Sequence, residues 1–313
     1  MYCPRLDHFV RFNSNGTVSR CGHMVNAPEF NTLEQMNASD WLANIKHSPD
    51  TWPKECVRCQ QTEKINNTSI RLNAIKFDQT QTCSDYLTVG GVLDNICNSA
   101  CLTCNENLST KIGSLKSKTY PIVDNSSAFW ALPLDRVVHL DINGGEPSAS
   151  KNYRNILENI PPSVTSVRIN TNCSMVIPEI QQLLDKNIHV TVTVSLDGID
   201  CVHDLVRWPI KWDRFVKNLM IYKNMGIHEL NTWTTVSALN IGDLPNIFSF
   251  VKQHDILHSW ALLATPDPLN VKYANTMTSP FRHIIPGQVA VDRNNQTEID
   301  SYMFEQHKLR RTQ

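Results

Sequence analysis

The chain has 313 residues, 41% of them hydrophobic, with 29 Lys and Arg against 30 Asp and Glu for a formal net charge of −1. That suits one large domain with its own core plus a smaller one, and the absence of any Lys/Arg block disfavours nucleic acid or an anionic membrane as a partner. No apolar run approaches the roughly 20 residues of a membrane span, and the opening Met1-Tyr2-Cys3-Pro4-Arg5 lacks a secretion signal, so the expected location is the cytoplasm.

The first eighty residues read as irregular: a turn at Asn13-Ser14-Asn15-Gly16, one predicted helix over Ser39–His47, and a polar stretch through Asn66-Asn67-Thr68. A segment so poor in core residues needs a staple. Cysteines supply one, because the chain has ten and seven of them fall into two sets, Cys3/Cys21/Cys56/Cys59 and Cys97/Cys101/Cys104. In a reducing compartment such grouping indicates metal or catalytic chemistry rather than disulfides. Cys83, Cys173 and Cys201 stand apart and read as small buried hydrophobes. The first set suits either a four-cysteine zinc ion or a closed iron–sulfur cube.

From about Tyr86 short apolar runs alternate with helical stretches, the pattern of a βα repeat with parallel strands. Six strands are predicted, over Tyr86–Gly90, Val137–Asn143, Val164–Asn170, Val190–Leu196, Leu230–Val236 and Ile256–Leu263, with helices such as Trp212–Met225 and Leu244–His254 between them. Polar residues recur on one face of these strands: His139, Asp141 and Asn143; Thr191, Thr193 and Ser195; Asn231, Trp233 and Thr235. With helices covering the other face, that polar face reads as the lining of a pocket. After Leu263 the chain becomes loop-like through Thr265-Pro266-Asp267-Pro268 and Ser279-Pro280 to the charged tail Lys308-Leu309-Arg310-Arg311. The division expected is 1–80, 81–265, and 266–313 as a tail or candidate lid.

Cys97-Asn98-Ser99-Ala100-Cys101-Leu102-Thr103-Cys104 brings three thiols together directly after the first of the six strands. Three soft ligands can hold three irons of a [4Fe–4S] cube and leave the fourth open; the same spacing also suits part of a zinc site. Gly144-Gly145-Glu146-Pro147 closes the next strand, Asn170-Thr171-Asn172 the third and Ser195-Leu196-Asp197-Gly198 the fourth, with Arg207 following. Glycines allow close backbone approach to a ligand and a carboxylate suits an ammonium. All lie at C-terminal strand ends, where (β/α) barrels place their sites.

This set, in this order, resembles the radical SAM superfamily. The resemblance implies a partial (β/α)6 barrel in which Cys97, Cys101 and Cys104 carry a catalytic [4Fe–4S] cluster and S-adenosylmethionine (SAM) chelates the open iron. It further implies that Thr103, Gly144, Gly145, Glu146, Pro147, Asn170, Asn172, Ser195, Asp197 and Arg207 line the SAM site, Glu146 facing the amino group and Arg207 the carboxylate. Reductive cleavage of SAM to a 5′-deoxyadenosyl radical and hydrogen abstraction from a peptide, protein or small-molecule substrate would follow, fed by a low-potential donor of flavodoxin or ferredoxin type. Two residues depart from the pattern: Thr103 where an aromatic residue or methionine is usual, and Cys173 where glycine is common. Cys3, Cys21, Cys56 and Cys59 resemble a small twitch (SPASM-like) domain, whose auxiliary [4Fe–4S] cluster would accept an electron; here it precedes the barrel. A binding or redox module without turnover, and a zinc-stapled barrel without radical chemistry, are the alternatives.

Overall fold

The structure, a computed structural model, describes residues 2–46, 51–263, 265–271 and 293–311, apart from the side chains of 293–298 and 311. Eight strands form one sheet: β1 (Phe9–Phe12), β2 (Val18–Ser19), β3 (Leu87–Val92), β4 (Val137–Asn143), β5 (Ser166–Thr171), β6 (His189–Ser195), β7 (Glu229–Val236) and β8 (Leu257–Leu262). Their order is β2-β1-β3-β4-β5-β6-β7-β8. Every neighbouring pair is parallel except the hairpin of β1 and β2. The fold is therefore α/β with a mostly parallel sheet. The six predicted strands correspond to β3–β8, with ends within two residues of the expected ones. His47, Ser279 and Pro280 lie outside the described residues.

Helix-covered strands are built from β-branched residues, as a doubly covered parallel sheet requires. Val190, Val192 and Val194 of β6 are fully buried. The helix Trp212–Asn224 covers this face with Phe215, Leu219 and Tyr222, spaced four and three residues apart on one stripe. Each such side chain contributes about 1.5–3 kcal/mol of burial. Tyr222 also accepts from Ile177 N and donates to Met175 O, tying the helix to the segment after β5.

The opposite face is the polar one, and the first eighty residues cover part of it. The helix Ile70–Asp78, capped by Ser69 Oγ, which accepts from Leu72 N at 3.0 Å, sets the Phe77 ring 5.6 Å from that of His139. Leu6, Val10, Phe12, Met36 and Leu42 join the same core as the later strands. The tail beyond the last strand departs from the loop-like expectation, since Arg293–Arg311 is a helix. Ile299, Tyr302 and Met303 share one face of it by their spacing. Tyr302 and Met303 pack against Leu102, Leu263 and Leu269.

His203, in the helix Asp200–Val206, is fully buried beside Phe215 and Trp212, and neither ring nitrogen has a hydrogen-bond partner. Burial, with Arg207 adding to it, pushes its pKa from 6.5 down to about 3. The unfolded chain thus binds a proton that the folded chain refuses, and stability falls as pH drops from 6.5 towards 3. His203→Leu should leave urea stability at pH 7 nearly unchanged and make it fall less between pH 6.5 and pH 4; equal acid sensitivity would show that His203 is not its source.

Candidate functional site

The turn after β4 and the chain leaving β3 meet at the C-terminal end of the sheet. Gly144 and Gly145 both have left-handed backbones, φ +76° and +57°. A Cβ at Gly145 would stand 2.7 Å from Ile96 O, and one at Gly144 would stand 2.6 Å from a Val92 methyl. Only glycine satisfies both the conformation and the contact. Glu146 N then donates to Ile96 O at 2.7 Å. Buried Asp94 accepts from Ile96 N and from Asn152 Nδ2, and also takes the hydroxyl of Ser150, whose Oγ caps the helix Lys151–Glu158.

The Glu146 carboxylate is buried and receives four donors: Ser148 N, Ser148 Oγ, Thr171 Oγ1 and Asn172 N at 2.6–3.1 Å. Burial raises its pKa, and these donors oppose the rise. Its oxygens are thus committed to donors within the protein. Asn172 Nδ2 reaches Asn98 Oδ1 and Ser99 Oγ, so the end of β5 also grips the cysteine loop. Cys83 and Cys201, expected to be buried, are exposed, whereas Cys173, where glycine is the familiar residue, has a left-handed φ of +60° and is fully buried, as expected of it. The departure in sequence leaves the glycine-like backbone in place.

Cys97, Cys101 and Cys104 face one cleft of about 780 Å³, open to solvent. Thr103, Gly144, Gly145 and Glu146 line it, together with Asn170, Asn172, Ser195 and Arg207. Pro147 and Asp197 do not. Pro147 is buried and its carbonyl takes Ser150 N, while fully buried Asp197 sits 2.7 Å from Arg207 Nε. That contact is an ion pair rather than an aligned hydrogen bond. Asp197 Oδ1 also accepts from Thr235 N. Burial alone would lower the Arg207 pKa; Asp197 and the thiols of Cys101 and Cys104 outweigh it and raise it. Arg207 Nη1 lies 3.6 Å from Cys101 Sγ. Ser99, Leu108, Thr171 and Thr235 also line the cleft without having been named as site residues. Ser99 and Thr171 stood inside the motif segments and Thr235 in the alternating polar set, whereas Leu108 gave no signal.

The middle of the cysteine loop has its backbone groups satisfied on both sides. Ala100 N donates to Trp208 O and Leu102 N to Val206 O, while Tyr302 Oη and Arg310 Nη2 from the C-terminal helix donate to Leu102 O and Ala100 O. Burial, with charge from Cys101, raises Cys97 to about 11 and Cys104 to about 12.

The second cysteine set also converges. Cys3, Cys21, Cys56 and Cys59 line one cavity with Arg5, Ile70 and Arg71. Burial raises Cys3 to about 11 and Cys56 to about 12, the neighbouring thiols adding to the rise.

Arg207→Gln leaves the buried Asp197 without its counter-charge and should cost about 3–5 kcal/mol in urea unfolding. Asp197→Asn in the same chain should restore most of it; strictly additive losses would show the pair to be uncoupled.

No family model matches the chain. Mycofactocin maturase MftC of Mycolicibacterium smegmatis is 26% identical over 149 residues, which are 47% of this chain and 37% of the maturase, so the match spans well under half of that protein. Among solved structures, anSMEcpe with bound AdoMet covers 70% of this chain and 59% of its own at 15% identity and a TM-score of 0.43. Streptococcus suis SuiB bound to S-adenosylmethionine covers 96% and 70% at 14% identity and a TM-score of 0.45. Among the described residues no helix is long and apolar enough to cross a membrane.

Proposed function

We propose that the chain is a radical SAM enzyme whose Cys97, Cys101 and Cys104 hold a [4Fe–4S] cluster and whose adjoining cleft receives SAM. The observation that carries this reading is the convergence of three thiols, a left-handed glycine turn and a buried carboxylate on one cleft. The donor set fits the group, because thiols whose pKa values burial and mutual charge raise need a cationic cluster to stay ionised. When bound, the cluster and SAM supply a 5′-deoxyadenosyl radical that takes hydrogen from substrate. The chain's own residues bind and orient: the glycine turn admits the methionine end, Glu146 sets negative potential for its ammonium, and Arg207, held by Asp197, sets positive potential for its carboxylate. Asn170, Ser195 and Thr235 offer polar groups to the ribose, and Thr103 stands where a bulkier residue would pack near adenine.

The finer architecture belongs to the same proposal: a twitch-like segment over 1–80, a partial (β/α)6 barrel over 81–265, and 266–313 as a C-terminal tail or lid. Cys3, Cys21, Cys56 and Cys59 are assigned a closed auxiliary [4Fe–4S] cluster, suited to accepting an electron rather than to ligating substrate. A four-cysteine zinc site is the competing occupant, and the accompanying barrel reading is what favours a cluster. A cytoplasmic setting, a flavodoxin- or ferredoxin-type donor and a peptide substrate, as a maturase relative suggests, complete the reading.

The test is 5′-deoxyadenosine production by the anaerobically reconstituted protein with SAM and a low-potential reductant. Formation above a protein-free control, abolished by Cys101→Ala, is expected, and Cys59→Ala should lower iron and sulfide content without abolishing SAM cleavage. A colourless protein that carries zinc and yields no 5′-deoxyadenosine would overturn the proposal.

A further inference from the structure

The polar face of the sheet holds another cavity, of about 850 Å³ and open to solvent, towards the N-terminal ends of β3, β4 and β5. Arg5, His8, His139, Asp141 and Arg168 supply its ionisable lining together with Tyr86. Two guanidinium groups thus face a single carboxylate. Among the described residues neither arginine is in an ion pair: Arg5 Nε is buried without a hydrogen-bond partner, its guanidinium lying 3.5 Å over the Phe9 ring, and Arg168 stands exposed on β5. Burial is the main cause that pushes His139 from 6.5 down to about 4, Asp141 opposing it and Arg168 and Arg5 adding to it. At neutral pH His139 therefore adds no charge of its own.

The cavity stands between the two cysteine sites. On one side Asp141 Oδ1 accepts from Asn143 Nδ2 at 3.0 Å, Asn143 Oδ1 accepts from Asn170 Nδ2, and Asn170 lines the cleft of Cys97, Cys101 and Cys104. On the other, Arg5 and Ile70 also line the cavity of the four N-terminal cysteines.

We propose that this cavity binds a carboxylate-bearing substrate, with Arg5 and Arg168 as its anchoring cations. What happens to that substrate rests on the radical SAM reading; the binding does not. A guanidinium presents a planar fork that matches a carboxylate with two parallel hydrogen bonds. The same chemistry comes from an acidic side chain or from the free C-terminus of a peptide.

Calorimetry on the full chain with three capped amino acids separates these sources: N-acetylglutamate α-amide carries only a side-chain carboxylate, N-acetylglutamine only a terminal one, and N-acetylglutamine α-amide neither. At least one acid should bind about tenfold or more tightly than the neutral probe, as a charge-assisted hydrogen bond supports, and the tighter acid identifies the source. Arg168→Gln, at an exposed position, should erase that preference, as should Arg5→Gln. Equal binding of all three probes, or a preference that survives both substitutions, would overturn the site. Because the titration needs no reduced cluster, a retained, arginine-dependent preference in a protein that forms no 5′-deoxyadenosine would uphold this site and sink the radical reading alone.

Discussion

The hydrogen bond from Glu146 N to Ile96 O is the contact on which the site depends. It presses the turn after β4 against the chain that is about to become the cysteine loop, and it forms only because two successive residues without a Cβ adopt left-handed backbones. From it the network spreads in two directions. The Glu146 side chain reaches the end of β5 through Thr171 and Asn172, and Asn172 returns to Asn98 and Ser99. The ends of three parallel strands thereby share one web of satisfied polar groups, and such a web rigidifies a site more than its separate bonds would. A single added methyl at Gly145 would strike the point where all of these paths meet.

Charge at the site is arranged with the same economy. Asp197 is fully buried and its counter-charge Arg207 lies beside Cys101, so the carboxylate that neutralises the arginine also aims it at the thiols. Glu146, a buried carboxylate, lines the same cleft as Arg207, so the cleft holds acidic and basic groups together.

Much of this was legible in the chain. Strands β3–β8 are short, β-branched and separated by amphipathic helices, so their positions follow from local pattern, and the motif residues meet because each stands at the C-terminal end of its strand. Three features were not legible, for different reasons. The hairpin of β1 and β2 follows from its Asn-Gly turn, but the parallel pairing of Phe9 with Thr88 is a long-range choice that no local pattern records. The helix at the C-terminus lay behind a charged tail whose apolar stripe is thin, and its bonds to Ala100 O and Leu102 O involve ordinary residues, Arg310 and Tyr302. Cys173 showed in the chain only as a departure from glycine, and no local pattern records that its thiol is buried at φ +60°.

The parallel pairing of β1 with β3 bears on the order in which the protein is made. Cys3, Cys21, Cys56 and Cys59 all precede β3 in the chain. During synthesis, which proceeds from the N-terminus, these four thiols emerge before the strand that seats their neighbour β1. Until β3 follows, they are carried on a segment without its sheet, open to oxidation or to whatever metal is at hand. The four thiols therefore pass the interval between their own emergence and that of β3 without the sheet that later seats β1.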